Sequence, residues 1–483
     1  MPKMPPLWLS VIPLLTLVSL ISIAVALFGE DALSGASQLV LLISSAVCVA
    51  LGLAGRYLTF KDFEDAIVEK VSSVSTALVI LLLIGALAGT WMVSGIVPTM
   101  IYYGINILHP SWFLVCACII SAVVSIMTGS SWTTVATIGI ALMGIGEALG
   151  FDEGWVAGAI ISGAYFGDKM SPLSDTTIMA STTVGTPLFR HIRYMMGTTI
   201  PTLIISLLVF TVKGLVQGAD GESGVTEIRQ GLDNTFCISG WLLIVPLCTG
   251  IMIVRKMPTL AILFLGVVMA CVAAVLVQPT LLYSIGDCGE GQSVRSIAKG
   301  IMQTMSGDTN LHTGVEMLDK LVATHGMAGM TSTVWLIICA MIFGASMTAS
   351  RMLECVVMSI LRHAKSPASM VGATVMTGIC MNLITCDQYL SIIISSSMYK
   401  DAYRRNGYEP RLLSRSVEDS ATVTSPIIPW NTCGMTQASV LGVSTMTYLP
   451  YCIFNWLSPV CSVIVALSGK GIRRLKTQTA PTT

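Results

Sequence analysis

The chain has 483 residues, 54% of them hydrophobic and only 11% charged, with 26 basic side chains balancing 26 acidic ones. A soluble domain carries about 25% charged residues, so this composition excludes an ordinary water-soluble globule and requires an all-α, polytopic membrane protein. Zero net charge and the lack of a basic domain argue against nucleic acid as a partner.

Leu7–Phe28 is long enough to span a bilayer, which takes about 20 residues, and reads as a first membrane helix although Ala24-Val-Ala26 imitates a signal-peptidase site. After an acidic turn, residues 38–53 form a second span. Residues 56–70 are charged, with Phe60, Phe63, Ile67 and Val71 at helical spacing, the pattern of an amphipathic interfacial helix. Residues 74–97 make a third span ending at Pro98, and 112–127 a fourth, stopped by Thr128-Gly-Ser-Ser-Trp132. Residues 133–149 are apolar but too rich in Gly and Thr for an ordinary span, and 155–166 form a further apolar helix.

Arg190-His-Ile-Arg193 reads as a water-exposed turn before a span at 194–215. Residues 218–234 look like a linker, 238–254 and 259–277 like spans, and 278–330 like a polar connector with short amphipathic helices at 294–305 and 315–323. Spans follow at 335–348 and 370–383; the second stops at Thr385-Cys-Asp-Gln-Tyr389 and resumes at 390–398. Residues 400–415 are basic, 417–432 polar and proline-containing, and 447–467 the last span. The 14 cysteines lie mostly in apolar runs with no metal-type CxxC pair, and the histidines fall in polar connectors or at a helix end. Basic segments face the cytoplasm, which puts both termini there in a cell (inner) membrane. The expected units are 1–75 (N-terminal spans), 76–217 (first repeat), 218–331 (linker, spans and connector), 332–468 (second repeat) and 469–483 (basic tail).

One stretch concentrates the chemistry. Gly163-Ala-Tyr-Phe-Gly-Asp-Lys-Met-Ser-Pro-Leu-Ser-Asp-Thr-Thr177 places Asp168, Lys169 and Asp175 among glycines, hydroxyls and a proline straight after an apolar helix. Ionisable groups within a membrane mark functional sites by default, and Pro172 biases Ser171 away from helix. The expectation is a broken helix carrying carboxylates, the way secondary transporters build ion sites. The interruptions also come twice, in the same order. Thr90, Thr128 and Pro172 correspond to Thr348, Thr385 and Pro426 at offsets of 258, 257 and 254 residues.

Gly167-Asp-Lys-Met-Ser-Pro-Leu-Ser-Asp-Thr-Thr177 resembles the signature of NhaC-type sodium/proton antiporters, as do residues 83–91, Ile101-Tyr-Tyr-Gly104, Asp387-Gln-Tyr-Leu-Ser391 and residues 418–434. The resemblance covers residues 75 to 460. It implies two inverted repeats with broken or re-entrant helices, a homodimer in the lipid bilayer, and exchange of sodium or lithium ions for protons, with no cofactor and no enzymatic activity. Members that resemble malate/lactate or arginine exchangers make an organic substrate the alternative. One departure is Ile178, where the family usually has Asn.

Sodium is a hard cation and takes oxygen ligands. The ion-binding or proton-coupling candidates are Asp168, Asp175, Asp387 and Asp419. Supporting oxygens are Thr128, Ser130, Ser171, Ser174, Thr176, Thr385, Glu418, Thr424, Ser425 and Asn431. Desolvation disfavours a carboxylate's charged form and a bound cation favours it, so proton and sodium compete; the expectation is that Asp168 or Asp175 is the competing group, with Asp387 or Asp419 nearby. The simpler roles are a salt bridge of Asp168 with Lys169, an N-cap for Asp175 and an interfacial charge cluster for Glu418 and Asp419. An intramembrane aspartyl enzyme or a channel does not require the duplicated breaks.

Overall fold

The structure, a computed structural model, describes residues 4–28, 35–217, 222–255, 257–286, 293–309, 311, 319, 322–362, 364, 366–469, 472 and 474. Among these, eight helices are long and apolar enough to cross a membrane, or ten if two bent pairs each count as one span. The acidic turn at 29–32 and most of the helix expected at 315–323 fall outside the described residues.

Several expected boundaries change, each for a local reason. The interfacial helix and third span are one helix, Phe60–Val93, of 34 residues. At about 1.5 Å per residue it is about 50 Å long and overshoots a hydrocarbon core of about 30 Å. Residues 60–84 contain no Gly or Pro to break it, and Thr59 and Asp62 cap its start reciprocally. Pro98 does not end a span: the chain turns at Gly95 and Pro98 lies in the first turn of Ile96–Ile107, where a missing N–H costs nothing. Residues 190–193 are no turn but part of Leu188–Gln217; Arg190 and Arg193 face outward while His191, on the opposite side, is fully buried. The linker contains a helix, Glu222–Thr235. The end of that helix, Arg229–Thr235, meets Gly240–Val254 at a bend of 93°, and Thr445–Tyr451 meets Ile453–Leu467 at 54°.

Two apolar cores form, and the halves of the chain interlock across them. One gathers residues from Ile84 to Leu282 together with Val423 to Phe454; the other joins Leu17 to Leu81 with Met330 to Met435. The closest packing is between Pro110–Thr128 and Glu153–Met170. Gly163 and Gly167 make it possible, since a Cβ there would stand 2.0 Å from the Cys118 carbonyl and 2.4 Å from that of Ala122. This small-xxx-small face is how membrane helices approach when lipid supplies no hydrophobic drive. Ser125 adds a hydrogen bond to the Ala164 carbonyl at 2.6 Å. The helix is thereby fixed against its neighbour one residue before Asp168.

Candidate functional site

Four helix breaks carry the polar chemistry, and they pair across the sequence at a constant interval. Pro110–Thr128 ends at Gly129 and Pro367–Thr385 at Cys386, both left-handed, with φ 70 and 58. The next residues, Ser130 and Asp387, cap the following helix through Thr133 N–H and Leu390 N–H. Thr128 and Thr385 tie these turns in the same way. Thr128 Oγ1 lies 3.1 Å from the Ser130 carbonyl and 3.2 Å from Thr134 Oγ1; Thr385 Oγ1 lies 3.0 Å from the Asp387 carbonyl and 3.0 Å from Ser391 Oγ. The later breaks match too: Ser174 and Asn431 cap helices Asp175–Val184 and Thr432–Leu441, which end at Gly185 and Gly442, both left-handed. Every one of these pairs is 257 residues apart.

The half-helices beyond the breaks pack on the opposite half of the chain. Asp175–Val184 lies along Gln388–Arg405, and Thr432–Leu441 against the π-helical turn Val135–Gly139. A cavity of about 570 Å³ opens between the first-half breaks. Its lining includes Thr128, Ser130, Ser131, Asp168, Asp175 and Thr176, with Gln388 and Tyr389 contributed by the other half. Ser73, Thr76, Asp175 and Pro258 on its lining are exposed, whereas Ser131, Asp168 and Gln388 are buried. It is a funnel with a polar floor.

Asp168 sits on that floor, 5% exposed, in the last turn of Glu153–Met170. Ser131 N–H and Oγ–H donate to one carboxylate oxygen at 3.3 and 2.7 Å, and Ser174 Oγ–H to the other at 2.5 Å. Ser174 Oγ is 2.8 Å from Thr176 Oγ1. The carboxylate therefore bridges both first-half breaks and faces a helix N-terminus, which favours negative charge. None of the described lining residues is basic. Among the described residues no cluster of three His, Cys, Asp or Glu side chains forms. One buried and one exposed carboxylate among hydroxyls suit a hard monovalent cation better than a transition metal.

The other candidates are placed elsewhere. Asp175 is the first helical residue rather than the N-cap, which is Ser174. Ser171 donates to the Ile126 carbonyl, closing its break outside the cavity. Asp387 caps its helix beside Thr432, at 3.5 Å, within electrostatic reach of buried Lys70. Thr385 is taken up in the turn described above, Ser425 donates to the Thr422 carbonyl, and Asn431 binds Asn382. Thr424 accepts from Asn382 and lines a separate apolar cleft. Ile178 is 39% exposed and does not line the cavity.

Lys169 does not pair with Asp168. It forms a fully buried ion pair with Asp419, supported by Ser458 Oγ at 3.1 Å. Thr198 Oγ1 donates to the same Asp419 oxygen at 3.2 Å, and Arg415 Nε stands 3.7 Å from the other. Glu418 and Asp419 are thus no interfacial cluster: both are 0% exposed. Ser131 and Gln388 belong to the oxygen-rich breaks read from the sequence; sequence reasoning missed Tyr389, Lys70 and Arg415. Only Arg415 left a trace, as a base three and four residues before two acids on one helix face.

Paired helix breaks around a buried, solvent-reachable carboxylate in an all-helical membrane chain define a secondary transporter architecture. The model of the Na+/H+ antiporter family matches residues 7–183 and 163–470, and the chain belongs to that family. It is 35% identical over 429 residues to the Na(+)/H(+) antiporter NhaC of Alkalihalophilus pseudofirmus, covering 88% of this chain and 90% of that protein. It is 36% identical to the malate-2H(+)/Na(+)-lactate antiporter of Bacillus subtilis, over 92% of this chain and 91% of that one. It is 33% identical to the arginine/ornithine antiporter ArcD of Halobacterium salinarum, over 97% and 93%.

Proposed function

We propose that this protein exchanges sodium or lithium for protons across a cell membrane by alternating access, with Asp168 as the cation-binding carboxylate. The observation that carries the reading is Asp168 itself: buried, hydrogen-bonded only by hydroxyls and a backbone N–H, and facing a cavity without a described basic side chain. Thr128, Ser130, Ser131, Ser174 and Thr176 supply neutral oxygens around it. A dehydrated cation needs such oxygens in place of water, and a proton satisfies the same need for positive charge. The funnel's exposed residues Ser73, Thr76 and Pro258 adjoin the charged segment 56–70, which carries Arg56, Lys61 and Lys70, and Arg255. The positive-inside rule puts such segments on the cytoplasmic side, which supports reading the funnel as open inward.

A second reading has one observation in its favour. A cavity of about 570 Å³ holds far more than one cation and falls in the range of about 300–1,000 Å³ usual for small organic ligands. Two acids and no described base fit a cationic amino acid such as arginine, not malate or lactate. Purified protein in proteoliposomes with an acidic interior separates the readings. Sodium, lithium, potassium, malate, lactate and arginine are added outside, one at a time. Collapse of the pH gradient by sodium or lithium alone is expected; collapse only with arginine or an organic acid would overturn the cation reading.

A further inference from the structure

Among the described Asp, Glu, Lys, Arg and His side chains, those that are buried are Asp168, Asp387, Glu418, Asp419, Lys70, Lys169, Arg415 and His191. Four are carboxylates and three are strong bases, and His191 bonds Ser414 through Nδ1 at 2.8 Å. Lys70 faces Asp387, and Lys169 with Arg415 faces Asp419. With Asp168 ionised, Glu418 adds one acid to the Lys169–Arg415–Asp419 group, and the buried set carries one uncompensated negative charge. A low-dielectric interior does not tolerate that. One proton or one monovalent cation removes it.

The two acids that are free to take this charge differ in surroundings. Asp168 already accepts three hydrogen bonds suited to an anion and opens to the cavity. Glu418 is 0% exposed, and neither of its oxygens has a hydrogen-bond partner. Thr422, one turn on, lies beside it, but no bond of ordinary geometry joins them. Lys169, Asp168 and Asp419 are the charges that reach Glu418. Of the elements packed on its turn, Pro410–Val417 brings Arg415 and the more distant Arg411, and Asp175–Val184 brings only Asp175. Gln388–Arg405 presents Tyr399 and Tyr403, bonded to Thr377 and Thr374, and Asp387 at its start; its other charges are exposed. Pro367–Thr385 and Ile453–Leu467 carry no Asp, Glu, Lys, Arg or His, only the thiols of Cys380 and Cys461. His191, on Leu188–Gln217, faces Lys169 and Asp419.

We infer that the exchanged proton resides on Glu418, separate from the cation on Asp168, and that the two alternate because the buried charge set has room for one. When sodium settles on Asp168, the set is neutral only if the Glu418 proton leaves to water. Arg415, whose Nε and Nη2 lack hydrogen-bond partners, stands ready to balance the resulting anion. The Lys169–Asp419 pair, one residue from Asp168 and one from Glu418, couples the two sites. This inference rests on the sodium/proton reading above.

The test uses the purified full chain in detergent with a pH-indicator dye and stepwise sodium chloride, together with calorimetric sodium affinities at several pH values. Wild type is expected to release about one proton per sodium bound, with affinity rising with pH. In Glu418→Gln the buried charges are already balanced once Asp168 is ionised. Sodium then adds an uncompensated positive charge, so that variant is expected to bind sodium more weakly than wild type at high pH, without releasing a proton and with affinity independent of pH over the same range. Glu418→Asp, which keeps the acid and guards against misfolding of the amide variant, is expected to keep proton release and move its pH midpoint. Wild-type proton release in Glu418→Gln, or an unmoved midpoint in Glu418→Asp, would overturn the inference alone. A wild type that neither binds sodium nor releases protons would overturn the functional reading, and this inference with it.

Discussion

Gly129 and Cys386 end their helices in the same left-handed turn, 257 residues apart, and the residues after them make matching hydrogen bonds. The side chains hung on these turns are not matched. Asp168 corresponds to Ser425, Lys169 to Pro426 and Asp175 to Thr432, while Ser130 corresponds to Asp387. The first-half breaks open on a polar cavity, whereas the second-half breaks border an apolar cleft and their polar groups are taken up by Asn382, Asn431 and Thr385. A duplicated backbone device thus carries the cavity's carboxylates, Asp168 and Asp175, on one copy, and on the other holds Gln388 and Tyr389 against the same cavity. Capping explains why both copies persist structurally: each break leaves helix-end N–H groups that need an acceptor wherever water is scarce.

The contrast between the halves can be broken by substitution. The largest effect is expected at Asp168: Asp168→Asn removes the only buried carboxylate among the described residues lining the cavity and should reduce sodium-driven proton movement in vesicles to that of protein-free controls. Retained exchange at normal rate would show that the cation sits elsewhere. Lys169→Met has no equivalent in the second half, where Pro426 stands; stripping a partner from the buried Lys169–Asp419 pair should cost about 3–5 kcal/mol, seen as a large fall in thermal unfolding temperature. An unchanged unfolding temperature would mean that the pair contributes nothing.

Smaller effects sharpen the comparison at the turns. Gly129→Ala places a Cβ 2.7 Å from the Leu173 backbone at φ 70, so a loss of about 2 kcal/mol or more is expected from strain and clash together. At the matching site, Cys386→Gly relieves a left-handed Cβ and should leave stability within about 1 kcal/mol of wild type. Chemical denaturation of the two variants side by side checks the asymmetry; equal losses would deny it. The smallest effect is expected at Ile178, the departure from the family pattern. Its side chain lies off the cavity, so Ile178→Asn should leave ion selectivity unchanged in the vesicle assay, and a switch of substrate would contradict that placement.

Much of this was legible in the sequence, for identifiable reasons. Breaks at Thr128-Gly-Ser-Ser and Ser171-Pro-Leu-Ser announce themselves because Gly, Pro and hydroxyls are locally encoded helix stops. The oxygen cluster of Thr128, Ser130, Asp168, Asp175 and Thr176 follows from those stops. What escaped depends on contacts between distant parts of the chain. Lys169 finds Asp419 across 250 residues, and Ser131, not Thr128, reaches Asp168. The inward turn of His191 was hidden by two flanking arginines, although helical spacing places Arg190 and Arg193 on one face and His191 on another. Phe60–Val93 was divided by composition alone, where the absence of a breaker was the better signal.

The central claim is that the cation site belongs to the first pair of breaks and not the second. Uptake of radioactive sodium into vesicles with an acidic interior, compared for wild type, Asp168→Asn and Asp387→Asn, tests it directly. Asn is as good a helix cap as Asp, so Asp387→Asn preserves the second-half turn. The expected result is uptake abolished in Asp168→Asn and retained in Asp387→Asn. Uptake retained in Asp168→Asn and lost in Asp387→Asn would contradict the account and move the site to the other half.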